Sequence, residues 1–239
     1  MAVAHRQGAL TPWRDPGEPV MSRKTVPLTL DNLDGLPQPC QHCLFWQLDP
    51  VRRDRLDAEE SACEKEAWIS EVLREWGSCG RVAMVDDEAV GYLIYAPTAW
   101  VPGVSAFPTA PVSPDALVLT TVYVDPAWTG HGIGRLLIQG LAKDLIKRGE
   151  VRAVEAFGST REQGLGHCVV PAGFLTRVGF KTQRAHPTHP RLRMELRSVL
   201  TWKDEVEQAV ERLLGVVRPK RPAPKTAPGG LPPARGGLS

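Results

Sequence analysis

The chain has 239 residues, 42% of them hydrophobic and 23% charged, and a net charge of +2. That length supports one well-buried core with appendages, and no apolar run approaches the ~18–20 residues that a membrane span requires. Segments 1–24 and 216–239 carry nine of the 29 basic and two of the 27 acidic residues, leaving residues 25–215 at −5, a balance that gives no support to a nucleic-acid-binding face.

Residues 1–24 hold Pro12, Pro16 and Pro19 without periodicity and are expected to be a disordered extension, with Met21 as a second plausible start. They lack the apolar core of an export signal, and five cysteines, an odd number, point to a reducing cytoplasm. Segment 33–49 contains Cys40-Gln41-His42-Cys43-Leu44-Phe45-Trp46. The pair can be structural, with Phe45 and Trp46 packing on the core, or a metal or redox pair. No second Cys-x-x-Cys exists, so no metal is expected.

Asp57-Ala58-Glu59-Glu60 has the form of a capping box, and Ala62, Ile69, Val72, Leu73 and Trp76 give the following helix one apolar face up to Gly77. Residues 81–85 and 89–95 form a hairpin turned by Asp86-Asp87-Glu88. Five prolines then make 96–115 an irregular loop, long enough to suggest function.

The next stretch is the most informative. Leu117 to Val124 is apolar and β-branched, as a buried strand requires, and Pro126 stops its ladder. Gly130-His131-Gly132-Ile133-Gly134-Arg135 follows, opening a helix on which Ile133, Leu137, Leu141 and Leu145 recur at helical spacing until Gly149. Glycines at a helix entrance let backbone N–H groups approach an anion, and the helix dipole favours negative charge there. A phosphate ligand is therefore expected, against the plainer reading of a strand–helix turn with no ligand. A dinucleotide-binding fingerprint would need a small residue at Arg135, and a P-loop would need Lys-Ser/Thr after Gly134. Both fail.

The Val-x-Val-x-Pro strand running into Gly-x-Gly-x-Gly resembles motif A of the GCN5-related N-acetyltransferases, the GNAT superfamily. Residues 151–157 read as a further strand, and Phe174 to Phe180, ending in Gly179-Phe180, resembles the family's motif B. The likeness covers roughly residues 81–197. Cys-x-x-Cys-x-Phe-Trp openings similar to the one here occur in acetyltransferase-like proteins of actinobacteria, which assigns no substrate. The resemblance implies an α/β fold with a mixed central sheet flanked by helices, between disordered termini, in a domain spanning 25–215. It implies acetyl-CoA as co-substrate and an amine acceptor attacking the thioester directly. Val122, Tyr123 and Val124 would then offer backbone N–H groups, and Gly130, His131, Gly132, Ile133, Gly134 and Arg135 would hold the pyrophosphate.

Three family features are absent. Thr129 stands where Arg or Gln precedes the first glycine, Thr120 and Thr121 replace carboxylates on the central strand, and Phe174 and Leu175 occupy the place of an acidic Tyr. The proton-transfer candidates are His167 and Cys168, a titratable pair before motif B, which otherwise read as a loop His and a small buried Cys. Glu155, on the strand across from the glycine-loop strand, faces either the acceptor amine or solvent. A last strand is expected near 191–199 and a helix over 202–214. Residues 216–239, with six prolines, five basic residues and no acid, are expected to be a solvated disordered tail, with a weak partner contact as the alternative. No membrane or nucleic-acid partner is expected; a homodimer is an allowed assembly.

Overall fold

The computed structural model describes residues 22–33, 35–36, 42–161 and 168–197. In chain order its strands are β1 (Arg23–Pro27), β2 (Gly80–Val85), β3 (Glu88–Ala96), β4 (Ala116–Val124), β5 (Ala153–Ser159), β6 (Val170–Pro171), β7 (Lys181–Arg184) and β8 (Arg191–Glu195). Its helices are α1 (Pro50–Arg53), α2 (Ala58–Glu75), α3 (Ile133–Arg148) and α4 (Ala172–Arg177). The strands form one mixed sheet in the order β1-β2-β3-β4-β5-β8-β7, with β6 pairing the far end of β5. Among the described residues only the β4–β5 and β5–β6 pairs are parallel.

Helix α2 starts on the expected capping box. Asp57 accepts from the Glu60 N–H at 2.9 Å, and the Glu60 carboxylate accepts from the Asp57 N–H at 3.0 Å. The β2–β3 hairpin turns on Asp86 and Asp87, both in the left-handed region at φ 47° and 67°. Asp tolerates that conformation better than most residues, and two positive φ values suit the right-handed twist of a tight hairpin. The Ser22 N–H donates to the Asp86 side chain at 2.9 Å, which fixes the turn against the start of β1.

Strand β1 corrects the expectation that the chain is an unstructured extension through residue 24: pairing with β2 already starts at Arg23 opposite Val85. Its sequence, Arg-Lys-Thr-Val-Pro, is too polar for a buried strand, and it serves as an edge. Segment 96–115 is also more ordered than a loop. It winds through two 3-10 turns, Thr98–Trp100 and Pro102–Ala106, and buries Val101, Val104, Phe107 and Val112. The last strand ends at Glu195. The helix expected over 202–214 and the tail from 216 lie outside the described residues.

Two cores cover the two faces of the sheet. Leu117, Leu119, Val122 and Val124 of β4 pack with Leu137, Leu141 and Leu145 of α3 on one. Val118 and Tyr123 join Trp68, Ile69 and Val72 of α2, with Trp46, Phe107 and Phe157, on the other. The switch from odd to even numbers along β4 has a local cause. The register against β3 slips between Ile94 and Tyr95, so Thr120 is an extra residue that bulges and turns every later side chain over. Among the described residues no helix is long and apolar enough to cross a membrane.

A buried polar cluster fastens α3 to the sheet. The Tyr95 hydroxyl donates to Asp144 at 2.6 Å, Ser78 donates to the same oxygen at 2.9 Å, and Ser78 and Tyr95 lie 2.6 Å apart. Burial and the Asp144 carboxylate together raise the phenol's pKa, so it remains a donor. Tyr95→Phe is expected to lower stability by about 1–3 kcal/mol, because Asp144 loses a charge-assisted bond. An unchanged urea midpoint would show that the bond contributes nothing net.

Candidate active site

Strands β4 and β5 are in register only at Ala116–Ala153, Leu117–Val154 and Val118–Glu155. Past that point they diverge. The bulge at Thr120 follows at once on β4, while β5, paired with β8 from Ala153 to Phe157, takes β6 as its partner at Gly158 and Ser159. The backbone direction along the opening follows from one bond. The Asp125 N–H donates to Val90 of the β3 side at 2.9 Å. Alternation of period two then turns Tyr123 toward β3 and leaves Val122 and Val124 with N–H groups facing the opening. Tyr123 uses its side chain for packing, stacked on Tyr92 with ring centres 5.5 Å apart.

The opening continues into the glycine loop. Asp125 accepts from the Ala127 N–H at 2.8 Å, which starts a 3-10 turn over Pro126–Trp128. Gly130 and Gly132 then take φ 83° and 82°, values that only glycine adopts at little cost, and a Cβ on either would project into open space. The first helical bond of α3 runs from the Leu136 N–H to the Gly132 carbonyl at 3.0 Å, so the Ile133 and Gly134 N–H groups precede the ladder. Gly134 has a different reason to be glycine: a Cβ there would lie 2.6 Å from the Phe174 ring of α4. Arg23 of β1 braces the loop from behind by donating to the His131 carbonyl at 3.0 Å.

Loop and α4 enclose a cleft of about 620 Å³, walled by Val124, Gly130, Gly132, Gly134, Phe174 and Arg177 among others. Two guanidiniums border it, with Arg135 reaching the Arg177 carbonyl at 3.5 Å. They supply the positive charge that Thr129 does not. Arg177 and Phe174 went unassigned in the sequence because a six-residue helix offers too little periodicity to say which side chains face the loop. Among the described residues, the cleft walls carry no carboxylate or imidazole.

Of the expected site, Val124, Gly130, Gly132, Ile133, Gly134 and Arg135 wall this cleft, and Val122 lies two residues back along β4. His131 is exposed on the loop, its Nδ1 3.1 Å from the Thr129 carbonyl. The side-chain candidates are placed differently. Leu175, at the family's Tyr position, is fully buried in the α3 core. His167 lies outside the described residues. Cys168 is not a cleft wall; its sulfur lies 3.5 Å from the Cys43 sulfur, and its carbonyl accepts from the Trp46 indole at 2.6 Å. The bond from Cys168, the Phe45 N–H and the charges of Lys65 and Arg53 outweigh burial and bring the Cys43 thiol down to about 6. Burial outweighs the charge of Lys65 and pushes the Cys79 thiol the other way, up to about 12.

Glu155 faces neither solvent nor the cleft. It is fully buried at the last β4–β5 pair, bonded to Arg191, to Arg193 at 3.1 Å and to the Ser113 N–H at 3.2 Å. Burial works to raise its pKa, but the Ser113 and arginine bonds outweigh it and hold the carboxyl below its ordinary value of 4.5. A carboxylate so held is a weak base. Its stabilising contribution is present in full above pH 4.5 and is lost as pH falls through the lower folded-state value.

Residues 43–165 match the model of the acetyltransferase (GNAT) family, and the chain belongs to that family. Comparison with curated proteins gives no sequence match. Among solved structures it is similar to PaiA N-acetyltransferase from Thermoplasma acidophilum in complex with coenzyme A, at 15% identity over 73% of this chain and 99% of that one, TM-score 0.48. It is also similar to the N-acetyltransferase YhbS from Escherichia coli in complex with CoA, at 17% identity over 75% and 84%, TM-score 0.42. Aminoglycoside acetyltransferase AAC(6')-Ib in complex with coenzyme A is similar at 16% identity over 73% and 95%, TM-score 0.47.

Removing the buried carboxylate while leaving both arginines is expected to be costly. Glu155→Gln should destabilise the protein by about 3–5 kcal/mol at neutral pH. The gap between variant and wild type should close as pH falls below the ordinary glutamate value. Urea midpoints taken from pH 7 to pH 3 check this, and a gap independent of pH would remove the charge from the explanation.

Proposed function

We propose that the chain is an acetyl-CoA-dependent N-acetyltransferase in which an amine attacks the thioester directly. The observation that carries this reading is the continuity of the site: an opening edged by the Val122 and Val124 N–H groups runs into a helix entrance edged by Gly132, Ile133 and two arginines. One end suits an extended acyl thioester, the other a pyrophosphate. Acetyl-CoA brings the activated acyl group. The protein fixes it along β4, places the entrance of α3 at its phosphates and directs a backbone N–H at the carbonyl oxygen.

As the amine nitrogen bonds to the carbonyl carbon, negative charge grows on that oxygen. A backbone donor already oriented there is worth roughly 10²–10³ in rate. Collapse breaks the C–S bond, the thiolate leaves and the amine loses its proton. Glu155 is tied to two arginines and Cys168 to Cys43, so we assign both proton transfers to solvent, with His167 as the remaining side-chain candidate. A thiol pKa of about 8.5 makes the thiolate a good leaving group, so the cost of lacking an acid is modest, about 10²-fold. The acceptor is an amine that reaches the opening neutral.

A second reading is a CoA-binding regulatory module without catalysis, favoured by the burial of Leu175 in the core where the family places its acid. One measurement separates the two. Acetyl-CoA with a panel of amines should release free thiol, at a rate that rises with pH as each amine deprotonates. His167→Ala and Cys168→Ala should keep that profile. Binding of acetyl-CoA without thiol release for any amine would favour the module.

The loop has its own test. Gly132→Asp forces an L side chain into a left-handed position and adds a negative charge facing the cleft. Calorimetric affinity for acetyl-CoA should fall at least about 100-fold, roughly 3 kcal/mol. A folded variant that binds acetyl-CoA as well as the wild type would sink the pyrophosphate assignment.

A further inference from the structure

Cys43 and Cys168 lie 125 positions apart in the chain and 3.5 Å apart in space, sulfur to sulfur. Neither belongs to the cleft, and acyl transfer makes no use of either. Their backbones are held on both sides. The Lys65 ammonium, on a side chain buried in α2, donates to the Cys43 carbonyl at 3.0 Å. The Trp46 indole donates to the Cys168 carbonyl, and its ring stacks on Phe107 with centres 4.9 Å apart. Both residues are partly exposed, unlike Cys79, which is fully buried. Two thiols in van der Waals contact on anchored backbones need an approach of only about 1.5 Å to reach a disulfide's ~2.05 Å bond.

We propose that Cys43 and Cys168 form a hydroperoxide-sensitive dithiol that closes to an intrachain disulfide. The Cys43 thiolate attacks one peroxide oxygen, the O–O bond breaks, and Cys43 becomes a sulfenic acid while the departing oxygen leaves as water. The Cys168 sulfur then attacks the Cys43 sulfur, the S–O bond breaks and a second water leaves. Two thiols and one hydrogen peroxide give one disulfide and two waters, the two electrons passing from sulfur to oxygen. Cys43 is the attacking sulfur because its thiol, near 6, is ionised at neutral pH. A nearby resolving thiol is the arrangement that diverts a sulfenic acid from further oxidation.

The bond would join the wall of the cleft to a segment outside it. Cys168 leads through Val169 into β6 and α4, whose Phe174 and Arg177 wall the cleft. Cys43 opens the segment that packs Phe45 and Trp46 into the core on the opposite face of the sheet. Closure therefore ties that face's covering segment to the wall of the cleft. This inference does not depend on the acyl-transfer reading.

The test uses the reduced full-length chain and stoichiometric hydrogen peroxide at neutral pH. The intact mass should fall by two hydrogens, and the digest should contain the Cys43 peptide linked to the Cys168 peptide, reverting with dithiothreitol. In the untreated protein Cys43 should alkylate on the order of tenfold faster than the exposed Cys63 near pH 6.5. Cys168→Ser should convert the linked product into Cys43 carrying added oxygen. The proposal is overturned if all thiols survive, if the link runs from Cys40 to Cys43, or if wild-type Cys43 gains oxygen without a link. The wild-type digest decides the matter even where a variant fails to fold.

Discussion

The parting of β4 from β5 is the constraint on which the rest of this structure depends. Parallel pairing stops at Val118 and Glu155, and the next residue but one on β4, Thr120, is the bulge that re-aims the strand. An interior strand that leaves its neighbour exposes a row of backbone donors and acceptors, groups that proteins almost always satisfy. The split is held on the β5 side by Glu155, whose burial is tolerated because Arg191, Arg193 and the Ser113 N–H all point at it. The two arginine bonds reinforce the β5–β8 pairing at the last residue that β5 shares with β4. A break in a sheet, edged by polar backbone and otherwise surrounded by apolar core, suits an extended amide-bearing chain that can take the place of the missing strand.

The glycine loop and the opening work as one device because β4 feeds directly into α3. Its three glycines answer two different demands. Gly130 and Gly132 need positive φ, while Gly134 needs the absence of a Cβ beneath Phe174. The last of these links the loop to α4, so the loop end of the cleft is shaped by packing between α3 and α4 as much as by the loop. Arg23 adds a brace from the edge strand, which gives the polar β1 a role in the site despite its distance from the core.

The elements with strong local signals were legible in the sequence: the capping box at Asp57, the glycine-loop entrance, the buried run of β4 and the apolar stripe of α3. Features set by tertiary partners were not. Strand β1 is polar and short, and only its pairing with β2 makes it a strand. The prolines of 96–115 correctly exclude regular helix and strand, yet they say nothing of Phe107 and Val112 turning inward to cover the sheet. Glu155 reads the same in sequence whether it faces an amine or two arginines, because its partners lie 36 and 38 positions away. Val122 and Val124 could be named in advance, but which of the three strand residues faces the opening follows from the Asp125 bond to Val90.

The Cys-x-x-Cys spacing carries no sign of a second neighbour for Cys43. Cys40 lies outside the described residues, and the fold sets the Cys43 sulfur 3.5 Å from that of Cys168. The reason is the placement of Trp46. Its ring is buried against Phe107 and Phe157, and its indole N–H must find an acceptor in that apolar setting, which the Cys168 carbonyl provides. One buried tryptophan thus sets the position of the chain just before β6. The same chain segment then enters α4 and the cleft wall, so packing of Trp46 on its face of the sheet and the shape of the cleft are joined through a single stretch of backbone.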